Sequence, residues 1–133
     1  MMVVVAFPAT AAIYCALSVV LVIGLALRVV QIRRSHQIGI GDNGHADLAR
    51  RIRVHANALE NLPLALLLLV LLDMSGVAAP WIHGFGAALL LARLAHAGGL
   101  SRRSGYSHGR FHGTLVTWLL MLVMAAWLLL RSI

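Results

Sequence analysis

Long uncharged stretches constrain this chain more than any other feature. Residues 1–27 contain no charged side chain, which is longer than the roughly 20 residues that a helix needs to cross the hydrocarbon core of a bilayer. A soluble domain normally has about a quarter of its residues charged. Here 11% of the residues are charged and 61% are hydrophobic. The sequence therefore predicts an integral membrane protein.

Polar segments divide the apolar residues into four predicted spans. A secretory signal peptide begins with a positive segment and has a short apolar region, and the N-terminus has neither feature, so the first span is expected to be retained. Glycine, asparagine and proline between the spans favour turns. We expect one all-α membrane domain over residues 1–133, an up-down four-helix bundle with spans at about 3–33, 48–73, 78–97 and 109–131.

The arginines predict how the spans are oriented. All 11 basic residues are arginine; ten lie in loops one and three or in the span ends beside them, and the other, Arg131, follows the fourth span. Cytoplasmic loops of membrane proteins are enriched in lysine and arginine. Both termini are therefore expected outside, with loops 28–52 and 97–109 in the cytoplasm.

The net charge of +7 fits either nucleic acid or a membrane together with an anionic ligand. Nucleic-acid-binding proteins carry their charge on a soluble, polar face, whereas these arginines flank apolar runs, so no nucleic acid partner is expected.

The single cysteine, Cys15, cannot form an intrachain disulfide. The histidines show no metal-ligand spacing, so no metal site is expected.

Polar residues at membrane depth are costly and mark candidate functional sites. In span two, Arg53, Asn57 and Glu60 are spaced i, i+4, i+7 and share one helix face. The carboxylate could neutralise an arginine or bind an ammonium group of a ligand, and the amide offers both donors and an acceptor. A polar clamp between helices, without any ligand, would explain the same spacing.

Two further clusters lie near the cytoplasmic ends of spans three and four. Arg93 and His96 are spaced i, i+3, and Arg110, Thr114 and Thr117 are spaced i, i+4, i+7. An arginine at a helix N-terminus would stabilise a thiolate or another anion, although snorkelling and positive-inside anchoring are the structural alternatives. Together the clusters predict a site for a small ligand with several carboxylates and an amine, since guanidinium groups pair with carboxylates bidentately.

The segment RVHANALENLPL resembles the signature of the MAPEG superfamily, the membrane-associated proteins of eicosanoid and glutathione metabolism. That signature is an arginine, a histidine two residues on, an asparagine two further and then a glutamate, which Arg53, His55, Asn57 and Glu60 match. The segments HQIGIGDNGHADLARRIR, ARLAHAGGLSR and GRFHGTLVTW resemble the bacterial branch. The resemblance extends from about Leu25 to the C-terminus.

The resemblance implies a homotrimer in the bacterial inner membrane, with glutathione as co-substrate in clefts between subunits near the cytoplasmic face. The implied activity is a glutathione transferase or peroxidase acting on hydrophobic electrophiles or lipid hydroperoxides. Arg110 matches the catalytic arginine that favours the glutathione thiolate. The implied glutathione-binding residues are Arg33 (with Arg28 and Arg34 as neighbouring choices), Arg53, Asn57, Glu60, Arg93 and His96.

Departures from the family's pattern argue against prostaglandin chemistry. Phe111 follows Arg110 where the prostaglandin synthase has a serine, and Leu100 lies where several mammalian members have a tyrosine. Because the family includes a lipid-binding member with no known chemistry, the alternative is a non-catalytic lipid- or glutathione-binding membrane protein of the same fold. A small transporter is disfavoured, because the spans contain no pair of glycine-broken helices.

Overall fold

The computed structural model describes residues 7–102 and 108–133, and within them all regular secondary structure is α-helical. The helices are α1 (Ala9–Ser35), α2 (Ala46–Met74), α3 (Ala79–Arg102) and α4 (His108–Ser132). They confirm the predicted all-α up-down bundle. The start of the first predicted span, residues 3–6, lies outside the described residues.

Helix α3 extends past the predicted span end at residue 97, into the stretch that we predicted as loop. Gly99 in that stretch lies in a close contact between helices rather than in a turn, whereas a Cβ on Gly98 would meet open space. A Cβ built on Gly109 of α4 would lie 2.8 Å from the carbonyl oxygen of Ala95 and 3.4 Å from the Cα of Gly99. Small residues allow membrane helices to approach closely, and a glycine in a helix costs only about 1 kcal/mol relative to alanine.

Side chains accept hydrogen bonds from backbone N–H groups in the first turns of α1 and α2. Oδ2 of Asp73, near the end of α2, accepts a 2.8 Å hydrogen bond from the backbone N–H of Ala11 in the first turn of α1. At the start of α2, Nδ1 of His45 accepts from the N–H of Leu48 at 3.3 Å. These acceptors satisfy N–H groups that have no partner within their own helix. Helix α2 begins at Ala46, slightly before the predicted start of the second span at about residue 48.

Helices α2 and α3 form the centre of the bundle. Helix α2 contacts each of the other three, α3 also contacts α1 and α4, and the described parts of α1 and α4 do not touch. One apolar cluster surrounds Leu25, Val54 and Leu62, and a second surrounds Leu72 and Met124. The two clusters follow one another along α2, so a continuous apolar core holds the helices together.

Much of the surface of the bundle is apolar, as contact with lipid requires. Helices α1, α2 and α4 are long and apolar enough to cross a membrane, and their exposed faces carry many large apolar side chains. Helix α3 is less apolar because it contains Arg93 and His96, and each of these is only 2% exposed. Charged residues in membrane proteins face the interior of the bundle, and this arrangement confirms a membrane bundle.

Candidate functional site

A cleft of about 410 Å³ opens at the end of the bundle where α2 and α4 begin and α3 ends. This end corresponds to the predicted cytoplasmic face. Its lining combines cationic, amide and imidazole groups from three helices with two small side chains: Ala46, Ala49, Arg50, Arg53 and Asn57 of α2, His96 of α3 and Arg110 of α4. The cleft therefore has the volume of a small-molecule site and an excess of positive charge.

One face of α2 supplies most of the polar lining. Arg50, Arg53 and Asn57 are spaced i, i+3, i+7, so they lie above one another on the helix surface. Glu60 continues this face, and its Oε1 lies 3.7 Å from Nη1 of Arg53. Their side chains are 53% and 64% exposed, so this ion pair lies on the outer surface of the bundle rather than in its core.

Asn57 connects the cleft to a buried polar layer on α3. Nη2 of Arg93 donates a hydrogen bond to Oδ1 of Asn57. Nε and Nη1 of Arg93 and Nδ1 of His96 are buried without a hydrogen-bond partner in the part of the chain that the structure describes. Buried polar groups are normally paired. Unpaired polar atoms beside the cleft are therefore typical of a region that binds a polar ligand.

Glycine at two positions of α4 brings Arg110 close to α3. A Cβ on Gly113 would lie 2.5 Å from the carbonyl oxygen of Ala92 and 2.8 Å from Cβ of His96, and Gly109 is similarly close to α3. Any larger side chain would push the two helices apart. This close contact places Arg110, in the first turn of α4, at the cleft beside His96.

The threonines that share a helix face with Arg110 have hydrogen-bond partners within α4. Oγ1 of Thr114 donates to the carbonyl oxygen of Arg110 at 3.0 Å, and Oγ1 of Thr117 donates to that of Gly113 at 2.7 Å. Hydroxyl groups in helices commonly bond backward in this way. These two residues therefore stabilise their own helix, and the cleft lining does not include them.

The structure brings four of the predicted site residues to the cleft, namely Arg53, Asn57, His96 and Arg110. Glu60 is connected to the cleft through Arg53, and Arg93 through Asn57.

Arg33 is placed elsewhere: its Nη1 donates to the carbonyl oxygens of Ile38 and Gly39, at 3.4 and 3.3 Å. In this arrangement Arg33 holds the loop between α1 and α2.

Arg50 was not among the site residues predicted from the sequence. This residue lines the cleft, and its Nη2 lies 3.6 Å from Oδ1 of Asp47. Its Nε is buried without a partner among the described residues. The neighbouring Arg51 has a different role, since it donates to Oδ2 of Asp47 at 2.9 Å and to the carbonyl oxygen of Arg28 at 3.2 Å. The spacing of Arg50 from Arg53 and Asn57 was the signal that could have identified it.

Comparison with known proteins decides the family. The MAPEG family matches residues 11–130. The chain belongs to the MAPEG family. It is 34% identical over 113 residues to the inner membrane protein YecN of Escherichia coli strain K12, which covers 85% of each chain. YecN of Escherichia coli O6:H1 matches with the same identity and coverage. The expected location of this MAPEG protein in the inner membrane is confirmed.

Proposed function

We propose that this MAPEG protein is a glutathione-dependent transferase or peroxidase that acts on hydrophobic electrophiles or lipid hydroperoxides. The observation that carries the proposal is the single cleft in which Arg50, Arg53, Asn57 and Arg110 meet. Glutathione has two carboxylates, one amine and one thiol. The cleft and its rim offer a partner to each of these groups.

The binding roles follow from the charges. Guanidinium groups pair with carboxylates through two parallel hydrogen bonds, and Arg50 and Arg53 lie one turn apart on α2. Glu60, beside Arg53, would accept hydrogen bonds from the ligand amine. His96 reaches the cleft from α3 and would contact the ligand near Arg110. The ligand would thus be held in one orientation, with its thiol towards α4.

Arg110 would activate the thiol. Its guanidinium and the N-terminal end of α4 both favour a negative charge nearby, and each unit by which the thiol pKa falls corresponds to about 1.4 kcal/mol of preferential thiolate stabilisation. In the transferase reaction the thiolate sulfur forms a bond to the electrophilic carbon, which releases its leaving group with the bonding electron pair. In the peroxidase reaction the thiolate sulfur attacks the terminal peroxide oxygen, the O–O bond breaks, and the alkoxide takes up the proton lost by the thiol and leaves as an alcohol. The thiol of a second glutathione then attacks the resulting sulfenic acid, which gives the disulfide and water.

A homotrimer is part of the proposal. Arg53 and Glu60 lie on the outer surface of one subunit at the level of the cleft. Charged groups at membrane depth face protein or water rather than lipid. A neighbouring subunit would cover them and complete the glutathione site, as the family resemblance implies.

A second candidate function is non-catalytic binding of a lipid or of glutathione. An apolar groove of about 220 Å³ runs between α1 and α2, lined by Ser18, Val19, Val22, Ile23, Leu59, Leu62, Pro63 and Leu66. Such a groove suits an acyl chain.

Turnover separates the two candidates. Detergent-solubilised protein is incubated with glutathione and either a hydrophobic aryl halide or a lipid hydroperoxide, and the products are identified by mass spectrometry. A glutathione conjugate or a lipid alcohol, formed by the wild type and strongly reduced in Arg110→Ala, would support the enzyme. Binding of glutathione without any product from either substrate would support the binding protein.

A further inference from the structure

Arg93 is buried behind the cleft rather than in it. It is the largest of the side chains that are fully buried in the described part of the chain, and the cleft lining does not include it. Asn57, in contrast, both lines the cleft and accepts a hydrogen bond from Nη2 of Arg93. Arg93 therefore contacts the cleft residue rather than the cleft.

The chemistry of this hydrogen bond fixes the orientation of the Asn57 amide. A guanidinium has only donors, so the atom that it meets must be the amide oxygen. The amide nitrogen, which has two donors and no acceptor, is then the part of the side chain left to face the cleft. The next amide along α2 does not compete for this oxygen, because Nδ2 of Asn61 donates to the backbone carbonyl of Asn57 at 2.9 Å.

We propose that Arg93 is a positioning residue, which acts on the ligand only by orienting Asn57; this inference rests on the proposed function. The family resemblance implied instead that Arg93 belongs to the glutathione-binding set. With its oxygen held by Arg93, Asn57 recognises an acceptor on glutathione, a carboxylate or a peptide carbonyl, and it does not bind the amine. Recognition of the amine is left to Glu60.

A double-mutant cycle tests the positioning role. The dissociation constant of glutathione is measured by calorimetry for the wild type, Arg93→Met, Asn57→Ala and the double variant. Arg93→Met is expected to weaken binding about tenfold, equivalent to about 1.4 kcal/mol, since the Asn57 amide loses its fixed orientation. In the Asn57→Ala background the same substitution is expected to have no further effect, because interacting residues are not additive. Additive losses would mean that Arg93 contacts glutathione itself and would overturn the inference.

A second comparison keeps the test decisive if Asn57→Ala fails to fold. Arg93→Met replaces a buried charge with an apolar side chain, whereas Arg93→Lys keeps a donor for the Asn57 oxygen. Arg93→Lys is expected to bind glutathione within about threefold of the wild type; a loss as large as that of Arg93→Met would overturn the positioning role. A folded wild type that binds no glutathione would overturn the proposed function and this inference with it, whereas additivity in a wild type that does bind would overturn this inference alone.

Discussion

Nη1 of Arg53 lies 3.7 Å from Oε1 of Glu60 across two turns of α2, and both side chains are more than half exposed. An exposed ion pair contributes at most about 1 kcal/mol to stability, so the pair is not needed to hold α2 together. Its two charges remain able to exchange partners with a ligand that carries both a carboxylate and an amine. This availability makes the pair the central recognition element of the proposed glutathione site.

Arg50 is expected to bind glutathione although the family resemblance did not include it. Arg50→Ala removes a guanidinium from the cleft lining and should weaken glutathione binding by about 10-fold or more, the cost of a lost charge-assisted hydrogen bond. Arg51→Ala is the matched control, because Arg51 binds Asp47 and the Arg28 carbonyl instead. It should lower the melting temperature and leave the dissociation constant unchanged. Equal losses of affinity in both variants would show that only the overall positive charge matters.

Arg110 is expected to control the ionisation of bound glutathione. In the wild type the ultraviolet absorbance of the thiolate should appear at lower pH than in Arg110→Ala, because the cation stabilises the deprotonated form. Turnover of the variant should fall by about 10²- to 10³-fold, as when a group that stabilises transition-state charge is removed. Arg131→Ala is the control at the other end of α4, where Arg131 donates to the Ser75 carbonyl. Identical thiolate titrations in the wild type and Arg110→Ala would remove Arg110 from the catalytic role.

Gly113 is expected to be irreplaceable for packing. Gly113→Ala puts a methyl group 2.5 Å from the carbonyl oxygen of Ala92, so α4 must move away from α3, at a cost of about 1–3 kcal/mol. Thermal unfolding in detergent measures the loss, and weaker glutathione binding should accompany it because the same methyl group presses on His96. Gly24→Ala has open space around the new methyl group and should not be destabilised. A Gly113→Ala protein as stable as the wild type would contradict the close contact of α3 with α4.

The orientation of the chain can be tested with single cysteines. In a Cys15→Ser background, Asn43→Cys lies in loop one and Ser132→Cys lies at the C-terminal end of α4. A membrane-impermeant maleimide added to intact spheroplasts should label the second and not the first, since the arginine-rich loops are expected in the cytoplasm. The reverse labelling pattern would invert the predicted topology.

The sequence predicted the membrane bundle well because lipid imposes a strong and simple constraint on composition. Long uncharged runs had to be helices, and the charges between them located the turns. The prediction was wrong at the end of α3, where Gly98 and Gly99 were interpreted as loop. A glycine that allows two helices to touch looks the same in a sequence as a glycine that makes a turn, and only the packing of Gly109 against Gly99 and the Ala95 carbonyl distinguishes them.

The site residues that share one helix face could be predicted from the sequence. The contacts between residues of different helices could not. Helical spacing placed Arg53, Asn57 and Glu60 on one face without knowledge of the fold. The same spacing cannot show that the Arg93 side chain meets Asn57 rather than the ligand, because that depends on how α3 packs against α2. Nor can it show that Arg33 folds back on its own loop, since the path of a loop follows from tertiary contacts.

Whether the folded protein binds glutathione decides between the proposed site and an unliganded polar cluster. Detergent-solubilised wild type is titrated with glutathione by calorimetry, beside Arg53→Ala and Glu60→Ala, and with Arg131→Ala as a control for an exposed arginine at the opposite end of the bundle. We expect saturable binding by the wild type and Arg131→Ala, and weakening of about 10-fold or more in each of the other two variants. No binding by a folded wild type, or equal binding by all four proteins, would contradict the proposed site.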